Sequence, residues 1–515
     1  MHIVNVDEMR DLEVRAEREY GLTSHILMEN AGKSAAEILA DYMRKRHAID
    51  GLEVLVLIGP GNNGGDGLVM ARHLQEWGAN ISLYYWKEQR FIYLTSVREV
   101  PAEDAPVELE AAVQRADYII DALLGTGRSR PLPENMRTLL GRVQQERRQR
   151  PSLRLVAVDL PTGMNADTGE VDPGTPHVDL TITLAFPKQG FFFFPGREYL
   201  GELYIGSIGL PAEMERNLQK EMLTAELVNR FVPPRPLNSN KGTFGKVMLF
   251  CGSPPYPGSA YLAGTAAGRI GAGLVTLAVT EQMLPIYAGA FHEATFALLP
   301  AQEAGSFERA NALMHSLEGY RALLMGPGLG QSPYIREVIL ELLESLRSMP
   351  DDERPHLVID ADGLNNLSAL EQWWTLLPPG TVITPHPGEM SRLCKGLKVS
   401  GGGIDRLDLA CGKAREWQVT LVLKGACTII ANPDGRTRIN WITNPALATA
   451  GTGDVLAGMV VGLLAQKLDP FDAASTAVYL HTTASELVSA RIGHSGLLAS
   501  DLLPEIPRAL LNIQQ

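Results

Sequence analysis

The sequence predicts an α/β protein of two domains, each a mostly parallel sheet covered by helices on both faces. Three observations lead there. Short apolar runs of strand length alternate with longer helical stretches along the chain. Several of the apolar runs end on glycine, aspartate or a Pro-Lys pair, the residue types that gather beyond the carboxyl ends of parallel strands. A proline-rich segment at 231–240 interrupts the alternation, which restarts after it. This places a first domain over 1–225, a linker over 226–240 and a second domain over 241–515.

Taken in order, residues 1–50 have helical spacing. Met9, Leu12, Ala16 and Tyr20 recur on one face, and 26–42 repeats the pattern after a break at Gly21. Residues 53–58 (EVLVLI) make a buried strand that runs into a glycine-rich loop, GPGNNGGDG at 59–67. A helix over 68–77 and a strand over 81–86 complete a βαβ unit. Strands at 118–120, 155–158 and 180–185 lead into Asp121, Asp159 and Pro187-Lys188. The run Phe191 to Phe194 reads as a buried strand or an interface patch. Past the linker, strands are expected at 247–251, 274–279, 322–325, 357–359, 382–383 and 420–423, with helices at 335–346 and 405–417. The apolar stretch 455–465 is shorter than the ~20 residues that span a bilayer and reads as a buried helix.

Composition narrows the function. The chain has 515 residues, 45% hydrophobic and 20% charged, as ordinary globular proteins do. A net charge of -13 argues against a nucleic-acid partner, so anionic ligands must be held by local dipoles. The cysteines are Cys251, Cys394, Cys411 and Cys427, with no CxxC pair. That argues against a disulfide framework or zinc site and fits a reducing, cytoplasmic compartment. No membrane partner and no secretory leader are expected, and a homo-oligomer is.

The first glycine loop carries side-chain chemistry. Gly59-x-Gly61-x-x-Gly64 matches the dinucleotide fingerprint between a strand and a helix. Glycines let backbone N–H groups approach phosphates, and a helix N-terminus adds favourable partial charge. An ordinary dehydrogenase fits poorly, because the next strand ends in Trp86-Lys87-Glu88 without a clear ribose-binding acid. Asn62, Asn63 and Asp66 also add oxygens to a loop that should be mostly backbone. Such oxygens suit a hard cation, and Asn63, Asp121 and Thr162 at strand ends could converge on one. Asp159, in DLPTG, can serve as an acid/base. Any one aspartate here is more often a cap or turn former; three at three strand ends favour a site. Lys188 reads equally well as a solvated lysine.

These residues resemble the NAD(P)H-hydrate epimerase domain. The likeness rests on GPGNNGGDG, IIDALLGTGRSRP (119–131), AVDLPTGMNADTG (157–169), FPKQG (186–190) and MENAG (28–32), and covers residues 1–225. It implies a Rossmann-like three-layer domain. It implies a hydrated dinucleotide held by Asn62, Asn63, Gly64, Gly65 and Asp66, by Gly125, Thr126, Gly127, Arg128, Ser129, Arg130 and Pro131, and by Asp159. It further implies potassium (K+) at Asn63, Asp121 and Thr162, with Asp159 as the acid/base that inverts C6 of the damaged nicotinamide ring. The stretch 88–108 departs from the family's polar helix pattern.

The second glycine loop, AGTGDVLAG at 450–458, has no lysine after its last glycine and is not a P-loop. It precedes an apolar helix, so Gly451, Thr452 and Gly453 would aim N–H groups outward as an anion hole. Asp454 would sit beside the anion, where a base can deprotonate a hydroxyl that attacks phosphate. The blander role is complementing the helix dipole; Thr452 and the three glycines favour the base. His386, between Pro385 and Pro387, suits a ligand contact, although a turn histidine is common.

With KGACT (424–428) after a strand, this loop resembles the ribokinase-like superfamily. KGTFGK (241–246), GPGLG (326–330), DADGLN (360–365) and TPHPGE (384–389) resemble its NAD(P)H-hydrate dehydratase members, over 238–510. The likeness implies a ribokinase-like α/β domain that uses ADP with Mg2+. It implies nucleotide contacts from Lys424, Gly425, Ala426, Cys427, Thr428 and Gly453, and substrate contacts at Ala260, Gly326, Gly328, His386 and Asp454. Ala446 stands where many relatives carry glycine.

Together the two likenesses imply one repair route for hydrated NADH and NADPH. Hydroxide leaves poorly from C6; phosphorylating it at the expense of ADP makes a good leaving group, which the ring nitrogen expels. The dehydratase would take the S form and the epimerase would supply it from the R form. Three rivals stand beside this reading. One is a small-molecule kinase fused to a Rossmann-like binding domain. Another is a scaffold, in which the cation and acid positions would be eroded. The third is an oxidoreductase, which the extra loop oxygens disfavour.

Overall fold

The computed structural model describes residues 1–87, 98–100, 106–127, 131–397 and 404–514. The chain divides into two compact units, one holding His2–Leu218 and the other Gln219–Gly401 and Asp405–Gln515. Most of the departing stretch 88–108 lies outside the described residues.

The first unit is a seven-stranded sheet in the order β3-β2-β1-β4-β5-β6-β7. Its strands are β1 (Glu53–Ile58), β2 (Asn80–Tyr85), β3 (Arg98–Val100), β4 (Tyr118–Ala122), β5 (Arg154–Val158), β6 (Leu180–Leu184) and β7 (Glu202–Gly206). Every pairing is parallel. Both faces are covered because successive side chains alternate across a strand. Val54, Val56 and Ile58 join a core with helices Val6–Tyr20, Ser24–Arg44 and Asn62–Glu76. Leu55 and Leu57 join another with Leu139, Leu140 and Val143 of helix Glu134–Gln149. The sequence reading missed β3 and β7, which are the two edges and have weaker apolar signals. Phe191 and Phe192 are buried as expected, but in a single 3-10 turn, Gln189–Phe192, rather than a strand.

The second unit holds a ten-stranded sheet in the order β11-β10-β9-β12-β13-β14-β15-β16-β17-β8. The strands are β8 (Lys220–Leu223), β9 (Lys246–Phe250), β10 (Leu274–Thr280), β11 (Thr295–Leu299), β12 (Ala322–Met325) and β13 (His356–Ile359). They continue with β14 (Val382–Ile383), β15 (Thr420–Leu423), β16 (Ile429–Ala431) and β17 (Thr437–Asn440). Only β16 runs against its neighbours. The strand β8 corrects the expected division of the chain, since 220–223 was assigned to the first domain and instead pairs with β17. Arg438 of β17 holds it there, bonding Glu221 at 3.0 Å and Asp472 at 2.6 Å while lying over Phe231 and Phe471. The expected linker also begins inside a short helix, Ala225–Asn229.

Both glycine-rich stretches are helix N-termini rather than free loops. Helix Asn62–Glu76 starts six residues before the expected 68, and helix Thr452–Ala465 three before 455. The glycines permit close contact. A Cβ on Gly64 would lie 2.1 Å from the Gly59 carbonyl oxygen, and one on Gly67 would lie 2.5 Å from Ala122 Cβ. In the second unit, a Cβ on Gly458 would lie 2.1 Å from the Ala263 carbonyl oxygen of helix Pro257–Arg269. Among the described residues no helix is long and apolar enough to cross a membrane.

The Gly458 contact gives a direct test of this packing. Gly458→Ala is expected to cost about 1–3 kcal/mol by overpacking, read as a lower denaturation midpoint for the second unit in the full-length chain.

Candidate active sites

In the first unit, functional side chains collect beyond the carboxyl ends of β1, β4, β5 and β6. Asp159 follows β5 at a sharp turn, with φ 68°, a left-handed backbone uncommon for aspartate. Its Oδ1 accepts a short hydrogen bond from Lys188 Nζ. Lys188 is 1% exposed, and its ammonium also donates to Thr183 Oγ1 at 3.0 Å and the Leu184 carbonyl at 2.8 Å. All three ammonium protons therefore have acceptors, which lets a lysine lie this deep. The N-terminal segment fixes its backbone: Val4 N donates to Pro187 O, and Gln189 N donates to Val4 O. The alternative of a solvated lysine is thus overturned.

Beside this pair, Asp121 is fully buried at the end of β4. Its carboxylate accepts from Thr162 Oγ1 at 2.7 Å, Thr162 N at 2.9 Å and Leu123 N at 3.2 Å. Burial raises the Asp121 carboxyl above its ordinary range, against these three donors. Thr162 Oγ1 in turn accepts from Leu124 N. Asn63 is buried with neither its amide oxygen nor its amide nitrogen hydrogen-bonded. A Cβ on Gly125 would sit 3.2 Å from both Asn63 Cβ and Asp159 Oδ2, so Asn63 and Asp159 flank one small space.

A cavity of about 590 Å³ opens over it. Asn62, Asn63, Asp66, Gly125, Thr126, Gly127, Asp159 and Lys188 line it. Gly64 and Gly65 do not; they pack on Gly59 and Met28 instead. Pro131 is exposed and off the lining, and Arg128, Ser129 and Arg130 lie outside the described residues. Burial, and then the Asp159 charge, push the Asp66 carboxyl well above its usual range. The wall from the first two helices, including Glu13, Leu27 and Met28, went unpredicted. Of these only Met28 had a sequence signal, in MENAG.

In the second unit, Lys424 at the end of β15 donates to Asp360 Oδ1, just past β13, at 2.8 Å. It also lies 3.9 Å from Glu389 Oε2. Burial works against the Lys424 charge, but Asp360 and Glu389 outweigh it and raise its pKa. The second glycine stretch meets this pair directly: a Cβ on Gly453 would be 3.4 Å from Lys424 Nζ and 3.8 Å from Asp360 Oδ2. Asp454 follows in the first turn of its helix. Burial, with the Asp360 charge adding, raises its carboxyl to about 6.

His386 caps helix Pro387–Leu393. Its Nδ1 accepts from Gly388 N at 3.0 Å, which leaves Nε2 to carry the proton toward Glu389 Oε1 at 3.3 Å. Burial and nearby Lys424 lower the His386 pKa, in keeping with a neutral ring. Glu389 Oε2 accepts from His386 N at 2.8 Å, and burial raises this carboxyl to about 7. Gly326, φ 129°, presses on the Asp360 carbonyl, where a Cβ would come within 2.0 Å. Gly328 borders helix Pro257–Arg269, which buries Ala260. Thr428 Oγ1 donates to the Gly425 carbonyl, closing the KGACT turn, with Ala426 exposed and Cys427 buried. Sequence reasoning missed Asp360 and Glu389 as site residues, although both lie in motifs it quoted.

Residues 247–508 match a family model described as NAD(P)H-hydrate dehydratase, and 24–190 match one described as the YjeF-related protein N-terminus. A Moorella thermoacetica protein named bifunctional NAD(P)H-hydrate repair enzyme Nnr is 36% identical, covering 100% of this chain and 98% of its own length. The chain belongs to the bifunctional NAD(P)H-hydrate repair enzymes. The Escherichia coli K12 member is 32% identical over 98% of this chain and 92% of its own. A solved Bacillus subtilis ADP/ATP-dependent NAD(P)H-hydrate dehydratase, co-crystallised with ATP/Mg2+, is 31% identical. It covers 57% of this chain and 98% of its own, with a TM-score of 0.47. In this family the first unit corresponds to the epimerase and the second to the dehydratase.

The Lys188–Asp159 pair can be tested by stability. Lys188→Met leaves Asp159 buried without its cation and is expected to cost about 3–5 kcal/mol. Adding Asp159→Asn should recover part of that loss in denaturant titrations of the first unit.

Proposed function

We propose that the first unit interconverts the R and S forms of NADH and NADPH hydrated at C6, and that the second dehydrates the S form at the expense of ADP. The observation that carries this is the contact of Gly453 with the Lys424–Asp360 pair, which brings three sequence-distant motifs into one site around Asp454.

In the first unit, Asp159 is the acid/base at C6. A hemiaminal carbon inverts when a base takes the hydroxyl proton, the C6–N1 bond opens to an aldehyde as that proton passes to N1, and N1 re-adds to the other face as the proton returns through the base to the oxygen. Lys188 holds the Asp159 carboxylate in place through the proton transfers. Asn62, Asn63, Asp66 and the 125–127 turn bind the dinucleotide. Asn63, Asp121 and Thr162 would hold potassium: all three offer oxygens, and the Asn63 amide oxygen lacks a partner. When bound, the ion would supply a fixed positive charge.

In the second unit, Asp454 takes the proton from the C6 hydroxyl as its oxygen attacks the terminal phosphorus of ADP. The products of that step are AMP and the phosphorylated hydrate. The ring nitrogen then pushes out phosphate, and loss of the C5 proton restores NADH or NADPH. The N–H groups of Gly451, Thr452 and Gly453 face the transferring phosphoryl group, and Lys424 to Thr428 contact the nucleotide. Asp360 and Glu389 offer the hard oxygens that Mg2+ takes; when bound, the ion would neutralise phosphate charge. Ala260, Gly326, Gly328 and His386 line the substrate side.

One assay tests the whole reading. Purified protein is mixed with both epimers, ADP and magnesium, and reduced nicotinamide absorbance is followed; no recovery with ADP or ATP would sink it. Asp454→Asn is expected to lose about 10²–10⁴-fold in dehydration while still exchanging the epimers. Asp159→Asn is expected to consume only the S form. The pH profile has a definite sign. Asp454 must be ionised to act as base and titrates at about 6, so dehydration should fall as pH drops through about 6.

A further inference from the structure

In the proposed reaction the hydrated dinucleotide brings phosphates to the His386 side of the second site, where Lys424 is already engaged by Asp360 and Glu389. Arg392 stands on that side. It is exposed and lies in the last turn of helix Pro387–Leu393, the helix that His386 caps. A Cβ on Gly388 would be 2.8 Å from His386 Cε1 and 3.8 Å from Arg392 Nη1, so the ring and the guanidinium flank one glycine. Arg392 Nε donates to Asn365 Oδ1 at 2.9 Å. That neutral oxygen, not a carboxylate, is its acceptor among the described residues. Asn365 Nδ2 donates in turn to Asp362 Oδ1 at 3.4 Å, and Asp362 Oδ2 accepts from Gly330 N at 2.9 Å. One chain of hydrogen bonds therefore joins GPGLG to DADGLN, and DADGLN to the helix that begins within TPHPGE. It ends on Arg392.

We infer that Arg392 is a substrate-binding residue of the second site, holding a phosphate of the hydrated dinucleotide with the two terminal nitrogens of its guanidinium. The inference rests on His386 facing the hydrate, as proposed above. The bond to Asn365 uses Nε and fixes the plane of the fork. Among the described residues no acceptor takes Nη1 or Nη2, which are left for the two parallel bonds by which a guanidinium meets phosphate. A role confined to tying the two motifs together would need only Nε. The charge of Arg392 is felt at the site: after burial and Lys424, it is the next influence that lowers the His386 pKa. A neutral His386 brings no charge of its own, so the cation beside it that can meet phosphate is Arg392. Sequence reasoning singled out His386 and passed over the arginine six positions on.

The test is steady-state dehydration by Arg392→Gln, with the S hydrates of NADH and NADPH, ADP and magnesium. Glutamine places an amide nitrogen where arginine has Nε, so it can keep the Asn365 bond while deleting the fork. KM for hydrate should rise about tenfold, the low end for a hydrogen bond to a charged group. The kcat, the KM for ADP and the exchange of epimers by the first unit should be unchanged. A rise equal for both hydrates assigns the pyrophosphate as the group held; a rise confined to NADPH hydrate assigns the ribose 2′-phosphate. An unchanged KM for both hydrates, a rise in the KM for ADP instead, or a loss confined to kcat would overturn the inference. A wild-type chain that recovers neither hydrate would overturn the underlying reading instead.

Discussion

Each unit pairs one lysine with one aspartate just past the end of a parallel strand, and each site is organised around that pair. Lys188 meets Asp159 past β5, and Lys424 meets Asp360 past β13. Bringing such charges out of water is costly unless partners and further hydrogen bonds satisfy them. Lys188 answers with Thr183 and the Leu184 carbonyl, and Lys424 with the nearby Glu389 carboxylate. The backbone bends to make this possible. Asp159 and Ala361, which follows Asp360, both take positive φ without being glycine. A parallel sheet supplies the place, because its strand ends all open on one side.

Around those pairs, close backbone contact does the placing. Glycines at 59, 64 and 67 let helix Asn62–Glu76 lie against the ends of β1 and β4, which sets Asn63 and Asp66 at the cavity wall. Glycines at 451, 458 and 462 do the same for helix Thr452–Ala465, which carries Asp454 in its first turn. In both cases the glycine's task is packing as much as ligand approach. Gly64 and Gly65 show this plainly, since neither lines the cavity that their neighbours Asn63 and Asp66 face.

The sequence made most of the architecture legible because many strands buried on both faces read as unbroken apolar runs, but β16 and β17, also buried, were missed. The edges β3 and β7 carry half-polar patterns and were missed, as was the edge β11, although its run TFALL is mostly apolar. The strand β8 was misassigned because it joins a sheet whose other strands all follow it in the chain. At the sites, sequence reasoning found residues that sit in glycine-rich motifs, where local chemistry is unusual. It undervalued Lys188, whose meaning depends on Asp159 lying 29 positions away. Glu13 carries no motif at all and faces the first cavity only because helix Val6–Tyr20 packs there. Partnership across the fold is what a single sequence hides.

The carboxylates of the second site explain how it can admit anionic ligands in a chain of net charge -13. Asp360, Glu389 and Asp454 surround one lysine. Fully ionised, they would repel an incoming nucleotide. Burial raises Glu389 to about 7 and Asp454 to about 6, so near neutral pH the cluster carries less negative charge than its composition suggests. That places Asp454 close to the pH at which a base both stays ionised and accepts a proton readily. A carboxylate left in water would sit far lower, ionised but a feeble base. In the proposed reaction one buried neighbourhood therefore serves two ends: it softens repulsion toward phosphate, and it tunes the proposed base.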